Sequence, residues 1–427
     1  MTSFQPLQSS GLLPRVACQY EWLFSRVNER YAIPMTEKES VRVPLPEATA
    51  ASPFYTEEHE AFRATVRRFV DRELMPYVDQ WDEAEEFPRA LYKKASAAGL
   101  LQLGFPEEYG GVPTDPFFGI IKAEEMARHG SGGLNASLNS HTIGCPPIAA
   151  LGPEWMKRKV LPEVLAGDKI SALAITEPSG GSDVANLRTT ARREGDHYVV
   201  NGSKMFITSG VRADYFTVAV RTGGSGAGGV SLLLIERDRA GFSRTKLKKM
   251  GWWASDTAQL FFDDVKVPVE NLIGVENKGF IGIMLNFNQE RLGMSAGAYG
   301  YAKVCLDEAI AYARERHTFG KPLIANQVVR HRLVDMAMRI NAVKSTLELL
   351  AYRVGQGEKP VAEICMLKNL ATSAMEFCAN EAMQIFGGAG YLRGAKVERI
   401  YRETKVMAIG GGSVEIMKDL AARQMGL

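Results

Sequence analysis

The residues best suited to holding a polar ligand lie in one segment, residues 172–210. There glycine, serine and threonine surround a proline immediately before strand-like sequence, in ALAITEPSGGSDVANLRTTARREGDHYVVNGSKMFITSG. Such a loop presents backbone N–H groups and hydroxyls to a ligand. On composition alone the same residues are equally consistent with a tight structural turn. The sequence therefore predicts either a ligand-binding loop or a plain turn at this place.

A second glycine-rich run, GGSGAGG at residues 223–229, superficially resembles a nucleotide-binding loop. It is followed by the strand-like sequence VSLLLIE, whereas a pyrophosphate loop must lead into a helix N-terminus. No P-loop motif occurs elsewhere. We therefore predict a hairpin loop here and do not expect a nicotinamide-dependent enzyme of the Rossmann type.

Metal chemistry has no support in the spacing of the potential ligands. His317 and His331 lie in charged surroundings without a partner at ligand spacing, and no CxxC pair occurs. The five cysteines are widely scattered, which predicts free thiols in a reducing compartment: Cys18, Cys145, Cys305, Cys365 and Cys378.

The spacing of apolar residues changes along the chain, and it predicts which helices and strands position the candidate ligand-binding residues. Thr56 is a candidate N-cap before Phe62, Val66 and Phe69 at helical spacing, and helical segments run to about residue 170. Between residues 171 and 275 the period is that of strands, with predicted turns at Gly-Asp and at Asn201-Gly202.

The last third of the chain returns to helix, and three stripes of apolar residues at spacings of three and four predict long amphipathic helices of a bundle. The stripes are Leu292, Ala296, Tyr299, Ala302, Leu306, Ile310 and Ala313; then Val329, Leu333, Met336, Ile340, Val343, Leu347 and Leu350; then Ile364, Leu367, Ala371, Ala374, Cys378, Ala382 and Ile385. We predict an extension of unknown role at 1–50, a helical domain at 51–171, a β domain at 172–280 and a helical bundle at 281–427.

Bulk composition is that of a globular protein, with 46% hydrophobic and 23% charged residues. A net charge of +2 gives no reason to expect nucleic acid or an anionic membrane surface as a partner. No stretch approaches the roughly 18 apolar residues of a membrane-spanning helix, and the N-terminus lacks a secretion signal. We expect a cytoplasmic protein if the source is bacterial and a mitochondrial matrix protein if it is eukaryotic.

Four motifs, in order, resemble those of the acyl-CoA dehydrogenase family. They are TEPSGGSD with the following KMFITS, ERHTFGKPL at 315–323, QIFGGAGY at 384–391, and the C-terminal YRETKVMAIGGGSVEIMKDLAAR. The resemblance covers roughly residues 55–427. It implies a mostly helical α+β fold, with a helical N-terminal domain, a middle β-barrel or sandwich and a C-terminal four-helix bundle. It also implies FAD as cofactor and an acyl-CoA thioester as substrate.

The resemblance implies flavin contacts from the first motif and the strand after it, at Ile175, Thr176, Ser182, Phe206, Ile207 and Thr208. Thr176 is similar to the hydroxyl that hydrogen-bonds the flavin ring. Ser182 resembles a serine that meets the pantetheine or phosphate region of CoA. Phe206 stands where the family often has Trp, so it would keep an aromatic wall with less area and no N–H.

Other residues resemble positions that reach the FAD of a neighbouring subunit: Arg316, Phe319, Gln327, Gln384, Ile385, Gly387 and Gly388. Ser413 and Glu415 match a stretch that contacts the cofactor. Taken without the resemblance, Arg316 is a solvated charge at a helix end, and the glycines after Phe386 form an ordinary helix C-cap. The resemblance implies a homotetramer built as a dimer of dimers.

The position of the catalytic carboxylate departs from the commonest family pattern. Many members carry it in a YEGT-like stretch, where this chain has Gly410 and Gly411. The branch that resembles long-chain and isovaleryl-CoA dehydrogenases instead has a glutamate directly before an arginine on an earlier helix, here Glu290-Arg291. The resemblance thus implies Glu290 as the base, with the backbone N–H of Gly411 polarising the thioester carbonyl. The other implied substrate contacts are Ser182, Asn288, Arg291 and Gly410.

The resemblance implies electron-transfer flavoprotein as the electron acceptor and α,β-dehydrogenation as the reaction. The two missing side chains at Gly410 and Gly411 predict room for long or branched acyl groups. Two alternatives remain on the same fold: an acyl-CoA oxidase or other flavoenzyme, and a flavin-binding scaffold without activity. The Glu290-Arg291 pair argues against the scaffold.

Overall fold

The first described region of the chain is helical. The computed structural model describes residues 52–427, apart from the side chains of residues 285–289. Cys18 and the predicted extension lie outside the described residues. The Thr56 hydroxyl accepts a hydrogen bond from the backbone N–H of His59 at 3.4 Å, which confirms the predicted N-cap. The helices are α1 Glu57–Phe69, continued by a π-helical turn Val70–Leu74, α2 Val78–Glu83, α3 Ala90–Ala97, α4 Pro116–Ala127, α5 Gly132–Leu138, α6 His141–Gly144, α7 Pro146–Leu151 and α8 Glu154–Leu165.

The strands that follow form an eight-stranded sheet in the order β6-β7-β3-β2-β4-β5-β8, with β1 parallel to β4. In β5, Leu233 and Ile235 belong to one hydrophobic core and Leu232 and Leu234 to another, because successive side chains point to opposite faces. The sheet is therefore covered on both faces. The strands are β1 Ser171–Ala174, β2 Thr190–Glu194, β3 His197–Ile207, β4 Tyr215–Arg221, β5 Val230–Glu236, β6 Phe242–Lys246, β7 Ala258–Pro268 and β8 Leu272–Ile273.

One predicted turn in this region is wrong, and two predicted loops are confirmed. Residues 195–196 form the β2–β3 turn, and the glycine run 223–229 lies in the antiparallel β4–β5 hairpin. Asn201-Gly202 instead lies inside the continuous strand β3, at a shift in register between Val200 and Gly202. A Cβ on Gly202 would lie 2.8 Å from the Thr189 Cα, so glycine allows the strand to bulge over that backbone.

The last third forms the helical bundle, and every residue of the three predicted stripes is buried. The pairing of α9 with α11 brings the first and third stripes into one core. The helices are α9 Gly279–Glu315, α10 Gln327–Gly355, α11 Val361–Phe386, α12 Lys396–Ile409 and α13 Val414–Met425, and β9 His317–Thr318 pairs with β10 Lys321–Pro322 between α9 and α10. No helix in the described part of the chain combines the length and the apolar character needed to cross a membrane.

Helix α12 is fixed to the rest of the molecule by buried charged side chains. The Arg399 guanidinium, only 1% exposed, lies 3.3 Å from the Asp82 carboxylate and donates to the His129 carbonyl at 3.2 Å. The Glu403 carboxylate accepts from the backbone N–H groups of Gly132 at 2.5 Å and Trp252 at 3.0 Å. These contacts tie the first helices and the strand region to α12, which sets the place where its C-terminal end leads into residues 410–412.

Candidate active site

Glu290 lies in the first third of α9, with a half-buried side chain. Burial raises the pKa of Glu290 to about 7, although the positive charges of Arg291 and Lys368 act to lower it. Removal of a carboxylate from water disfavours its ionised form, which explains the direction of the shift. A carboxylate with a pKa near neutrality is suited to act as a general base.

The glycine loop 410–412 faces this carboxylate. A Cβ placed on Gly411 would lie 3.7 Å from the Glu290 Oε1 atom, so the two positions named by the resemblance share one site. The backbone has φ of +65° at Gly411 and +104° at Gly412, values that residues other than glycine rarely adopt. The loop therefore brings backbone atoms close to Glu290 where a side chain would be strained.

The space left by the missing side chains is not empty, which corrects the prediction of free room at Gly410 and Gly411. A Cβ on Gly411 would collide with the Met294 sulfur, and one on Gly410 would lie 3.7 Å from the Met294 Cε. Met294 is one turn beyond Glu290 on α9 and points into this space. Because methionine side chains are flexible, room for an acyl group depends on where the Met294 side chain lies.

Two cations from different helices hold the backbone of the glycine loop. Arg291 of α9 is buried, and its Nε donates to the Gly411 carbonyl at 3.3 Å. Lys368 of α11 is fully buried, and its Nζ donates to the carbonyls of Gly412 at 2.8 Å and Ala408 at 3.2 Å. We call Glu290, Arg291, Lys368 and residues 410–412 the Glu290 cluster.

Sequence reasoning missed Lys368, although a signal for it exists. Lys368 follows Ile364 by four positions and precedes Thr372 by four, so it occupies the buried face of α11. A lysine on a buried face is rarely found without partners. Its position in an otherwise apolar stripe could have marked it as a residue that holds part of a site.

The TEPSGGSD loop is held in place by a buried ion pair. Lys204 is fully buried and donates to the Glu177 carboxylate at 2.8 Å and to the Ile175 carbonyl at 3.0 Å. Glu177 also accepts from the backbone N–H groups of Arg188 at 2.6 Å and Thr189 at 2.8 Å. Burial lowers the pKa of Lys204 to about 8, and Glu177 opposes that shift. Sequence reasoning missed this pair, which fixes the backbone on either side of Thr176.

The residues beside this loop fit a flat aromatic ligand. Phe206 is 68% exposed and has φ of +62°, an uncommon conformation for a bulky residue that occurs at functional sites. The Met205 N–H donates to the Thr176 carbonyl at 2.8 Å, which places the Thr176 backbone next to Phe206. Ile207 is buried, and Thr176 and Thr208 are half-buried. An exposed ring face beside threonine hydroxyls can stack and hydrogen-bond a flavin.

A second group of predicted cofactor residues lies at the other end of the bundle, and we call it the distal surface. The Tyr312 ring on α9 stacks on the Phe386 ring on α11 with centroids 4.3 Å apart, which brings the ends of the two helices together. Phe319 is fully exposed. The surface comprises Arg316, Phe319, Gln327, Gln384, Gly387 and Gly388, all of them exposed, whereas the predicted contact Ile385 is buried in the bundle core.

The two groups are far apart along the helices. An α-helix rises about 1.5 Å per residue, so Glu290 and Tyr312 lie about 33 Å apart on α9. The structure therefore does not bring Arg316 and Phe319 to Glu290 within one chain.

The remaining predicted contacts lie in separate places. Ser413 is the N-cap of α13 and accepts from the Ile416 N–H at 3.4 Å, directly after the glycine loop. Glu415 and Ser182 are exposed, and the Asn288 side chain lies outside the described residues. Among the described residues no group of three His, Cys, Asp or Glu side chains could hold a metal ion, and Cys145, Cys305, Cys365 and Cys378 are free thiols.

Models of three acyl-CoA dehydrogenase domains match nearly all of the described chain. The N-terminal domain model matches residues 56–168, the middle domain model residues 172–265 and the C-terminal domain model residues 277–426. These matches follow the helical, strand-rich and helical regions in order.

Individual proteins give the same result. An acyl-CoA dehydrogenase of Alternaria alternata, AFT10-1, is 39% identical over 396 residues, which cover 87% of this chain and 92% of the relative. The mitochondrial long-chain specific acyl-CoA dehydrogenase of Rattus norvegicus is 36% identical over 375 residues, 87% of each chain. A crystal structure of an acyl-CoA dehydrogenase from Geobacillus kaustophilus superposes with a TM-score of 0.85 at 38% identity, and the match covers 88% of this chain and 100% of that one.

Proposed function

This chain belongs to the acyl-CoA dehydrogenase family of FAD-dependent oxidoreductases, and we propose that it dehydrogenates an acyl-CoA thioester with Glu290 as the base. The observation that carries the proposal is the position of the Glu290 carboxylate against the glycine loop. Burial raises the pKa of Glu290 to about 7, and its Oε1 lies 3.7 Å from where a Cβ on Gly411 would be. Both features suit a base that acts next to a backbone N–H that binds the thioester carbonyl.

The chain's own residues supply binding, proton transfer and charge stabilisation. The Glu290 carboxylate takes the proton from the α carbon of the thioester. The negative charge that develops on the thioester oxygen needs a preorganised donor, and we assign this role to the backbone N–H of Gly411. Arg291 and Lys368 donate to the carbonyls of Gly411, Ala408 and Gly412 and so restrain the loop that carries this N–H. When bound, FAD supplies the two-electron acceptor for the hydride that leaves the β carbon.

We propose that FAD is held by two sets of residues from different chains. Ile175, Thr176, Ser182, Phe206, Ile207 and Thr208 would contact it in one chain, together with Ser413 and Glu415. The distal surface of a second chain would contact the same cofactor, and Ile385 would support that surface from the core. The exposure of Phe319 and its position past the end of α9, far along the helix from Glu290, support this assignment and a homotetrameric assembly.

We propose a long or branched acyl group as substrate and electron-transfer flavoprotein as the electron acceptor. Support for the acyl group comes from the glutamate on the earlier helix, the pattern that resembles long-chain and isovaleryl-CoA dehydrogenases. The Met294 side chain must then turn away from the glycine loop. A cytoplasmic location in a bacterium or a mitochondrial matrix location in a eukaryote completes the proposal.

Anaerobic mixing with a panel of acyl-CoA thioesters tests the function directly. We expect bleaching of the flavin absorbance by long or branched acyl-CoAs, followed by slow reoxidation in air and fast reoxidation by electron-transfer flavoprotein. Fast reoxidation by air would identify an acyl-CoA oxidase. Flavin that no acyl-CoA bleaches would identify a scaffold and reject the proposal, and a preference for short straight chains alone would reject the proposed acyl group.

A further inference from the structure

Lys368 is fully buried, and its hydrogen-bond partners are unusual for such a residue. Its ammonium donates to two backbone carbonyls, those of Gly412 and Ala408, and to no carboxylate among the described residues. A buried charge carries a large desolvation penalty unless other groups stabilise it. The position of a lysine here therefore calls for an explanation beyond packing.

The two carbonyls flank the residue assigned to bind the thioester oxygen. Ala408 lies in the last turn of α12, and Gly412 directly follows Gly411. Arg291 holds the Gly411 carbonyl from the opposite helix, α9. With three carbonyls between residues 408 and 412 held by cations, the backbone on both sides of the Gly411 N–H is restrained, in a loop with positive φ at Gly411 and Gly412.

The Lys368 charge also acts on the base. The titratable groups that face Lys368 are Arg291 and Glu290 on α9, Cys365 on its own helix and Glu415 on α13. Burial lowers the pKa of Lys368 to about 8 and Arg291 lowers it too, whereas Glu290 raises it. The ammonium in turn opposes the rise in the pKa of Glu290 that burial causes.

We propose that Lys368 is a positioning residue for the reaction, whose ammonium fixes the glycine loop around the thioester oxygen and favours the ionised form of the Glu290 carboxylate. This inference rests on the proposed function, because it assigns Lys368 a role toward the proposed base and oxyanion site. A lysine that only capped α12 would support the same loop without changing the ionisation of Glu290. The two roles therefore differ in their effect on pH dependence.

The test compares three changes at Lys368 in the FAD-loaded enzyme. Lys368→Met removes the charge and the hydrogen bonds, Lys368→Gln keeps a donor without the charge, and Lys368→Arg keeps both. Lys122→Met is the matched control, because Lys122 is another buried lysine that donates to a single carbonyl, that of Leu100 at 2.6 Å.

Rapid-mixing measurements of flavin reduction against pH give the first readout. We expect the midpoint of the pH profile to move up by about one unit in Lys368→Met and Lys368→Gln, the usual size of a lost charge contact. The limiting rate of flavin reduction should be about tenfold lower in Lys368→Met than in Lys368→Gln, because the methionine cannot donate a hydrogen bond to the glycine loop. Lys368→Arg should keep a midpoint near that of the wild type, and Lys122→Met should leave the profile unchanged.

A second readout needs no substrate. The pKa of Glu290 is higher in the folded than in the unfolded protein, so its contribution to stability is present at acid pH and is lost as pH rises through about 7. The difference in Tm between Glu290→Gln and wild type, measured against pH, reports this loss. When the same pair is compared in the Lys368→Met background, the loss of stability should extend to a pH about one unit higher.

Several outcomes would overturn the inference. Uncharged variants with wild-type midpoints in both readouts would reduce Lys368 to a structural cap. The same conclusion would follow if both uncharged variants failed to retain FAD while Lys368→Arg behaved normally, since the residue would then serve the fold. A wild-type flavin that no acyl-CoA reduces would instead reject the proposed function, and the Tm comparison would still decide whether Lys368 acts on Glu290.

Discussion

The Glu290 cluster and the distal surface are both parts of the bundle, but they differ in how completely one chain builds them. In the cluster, Lys368 and Arg291 are buried and donate to backbone carbonyls of the same chain. In the distal surface, the Arg316 and Gln384 side chains are exposed and make no hydrogen bond to the described residues, and Phe319 is fully exposed. One chain thus holds the residues of the Glu290 cluster in place, whereas the distal surface is the part that we propose to contact the FAD of a second chain.

The largest expected effect comes from Glu290→Gln, which keeps size and hydrogen bonding but cannot accept a proton. Flavin reduction should slow by about 10²-fold or more, the range typical of a lost general base. FAD content and acyl-CoA binding should stay close to wild type, because the change is confined to the Glu290 cluster. Stopped-flow absorbance gives the rate, and the flavin spectrum gives the FAD content.

Glu308→Gln serves as the control for this change, since Glu308 lies on the same helix and pairs with Lys396 at 2.7 Å away from the cluster. Its reduction rate should equal that of the wild type. A full reduction rate in Glu290→Gln would mean that another group takes the α proton, and the assignment of the whole site would be withdrawn.

Phe319→Ala on the distal surface should have the opposite pattern of effects to Glu290→Gln: it should weaken FAD binding and leave the rate of flavin reduction nearly unchanged. If a second chain's FAD covers this ring, its loss removes about 2 kcal/mol of apolar burial, equivalent to about 30-fold weaker FAD binding. Fluorescence titration of the apoprotein with FAD measures the affinity, and sedimentation measures the assembly. The rate of the remaining FAD-loaded enzyme should change little.

Val275→Ala is the matched control, because Val275 is 67% exposed and belongs to neither region. Unchanged FAD affinity and assembly in Phe319→Ala would show that the distal surface faces solvent. The contrast between the two regions would then lose its functional meaning.

The pH dependence of kcat/KM tests whether Glu290 is the base in the Glu290 cluster. Because burial raises the pKa of Glu290 to about 7 and the ionised form is the base, kcat/KM should rise with pH through about 7. The value at pH 6 should be about tenfold below that at pH 8. An acid limb centred near pH 4.5, the ordinary value, would contradict the burial of the carboxylate.

The smallest effect is expected when the carboxylate is moved from position 290 to position 411 of the Glu290 cluster. Glu290→Gln with Gly411→Glu should recover little activity, because a side chain at 411 meets a φ of +65° and the Met294 sulfur. Addition of Met294→Ala should raise the recovered flavin reduction rate, by less than about tenfold, since the backbone strain of about 1–3 kcal/mol remains.

The reference for this transfer is Glu290→Gln with Gly411→Ala, which introduces the strain without a carboxylate. Equal rates in the alanine and glutamate variants would indicate that position 411 does not face the α carbon.

The sequence predicted the bundle well because its signal is local. The apolar stripe from Val329 to Leu350 repeats at helical spacing, and every member is buried. The Thr56 N-cap was also readable, since a cap depends on neighbouring residues alone. Asn201-Gly202 failed for the opposite reason: its conformation depends on Thr189, a residue on another segment that local sequence does not reveal.

By itself the sequence determined the family, the order of helical and strand regions, and Glu290 as the candidate base. Only the tertiary structure decided that Met294 fills the space beside Gly411, that Lys368 holds the carbonyls around it, and that Arg316 and Phe319 lie past the end of α9, whose Tyr312 is about 33 Å from Glu290. The physical reason is that packing, burial and the pKa values they set arise between segments distant in sequence. Motifs and periodicity record only what neighbouring residues do.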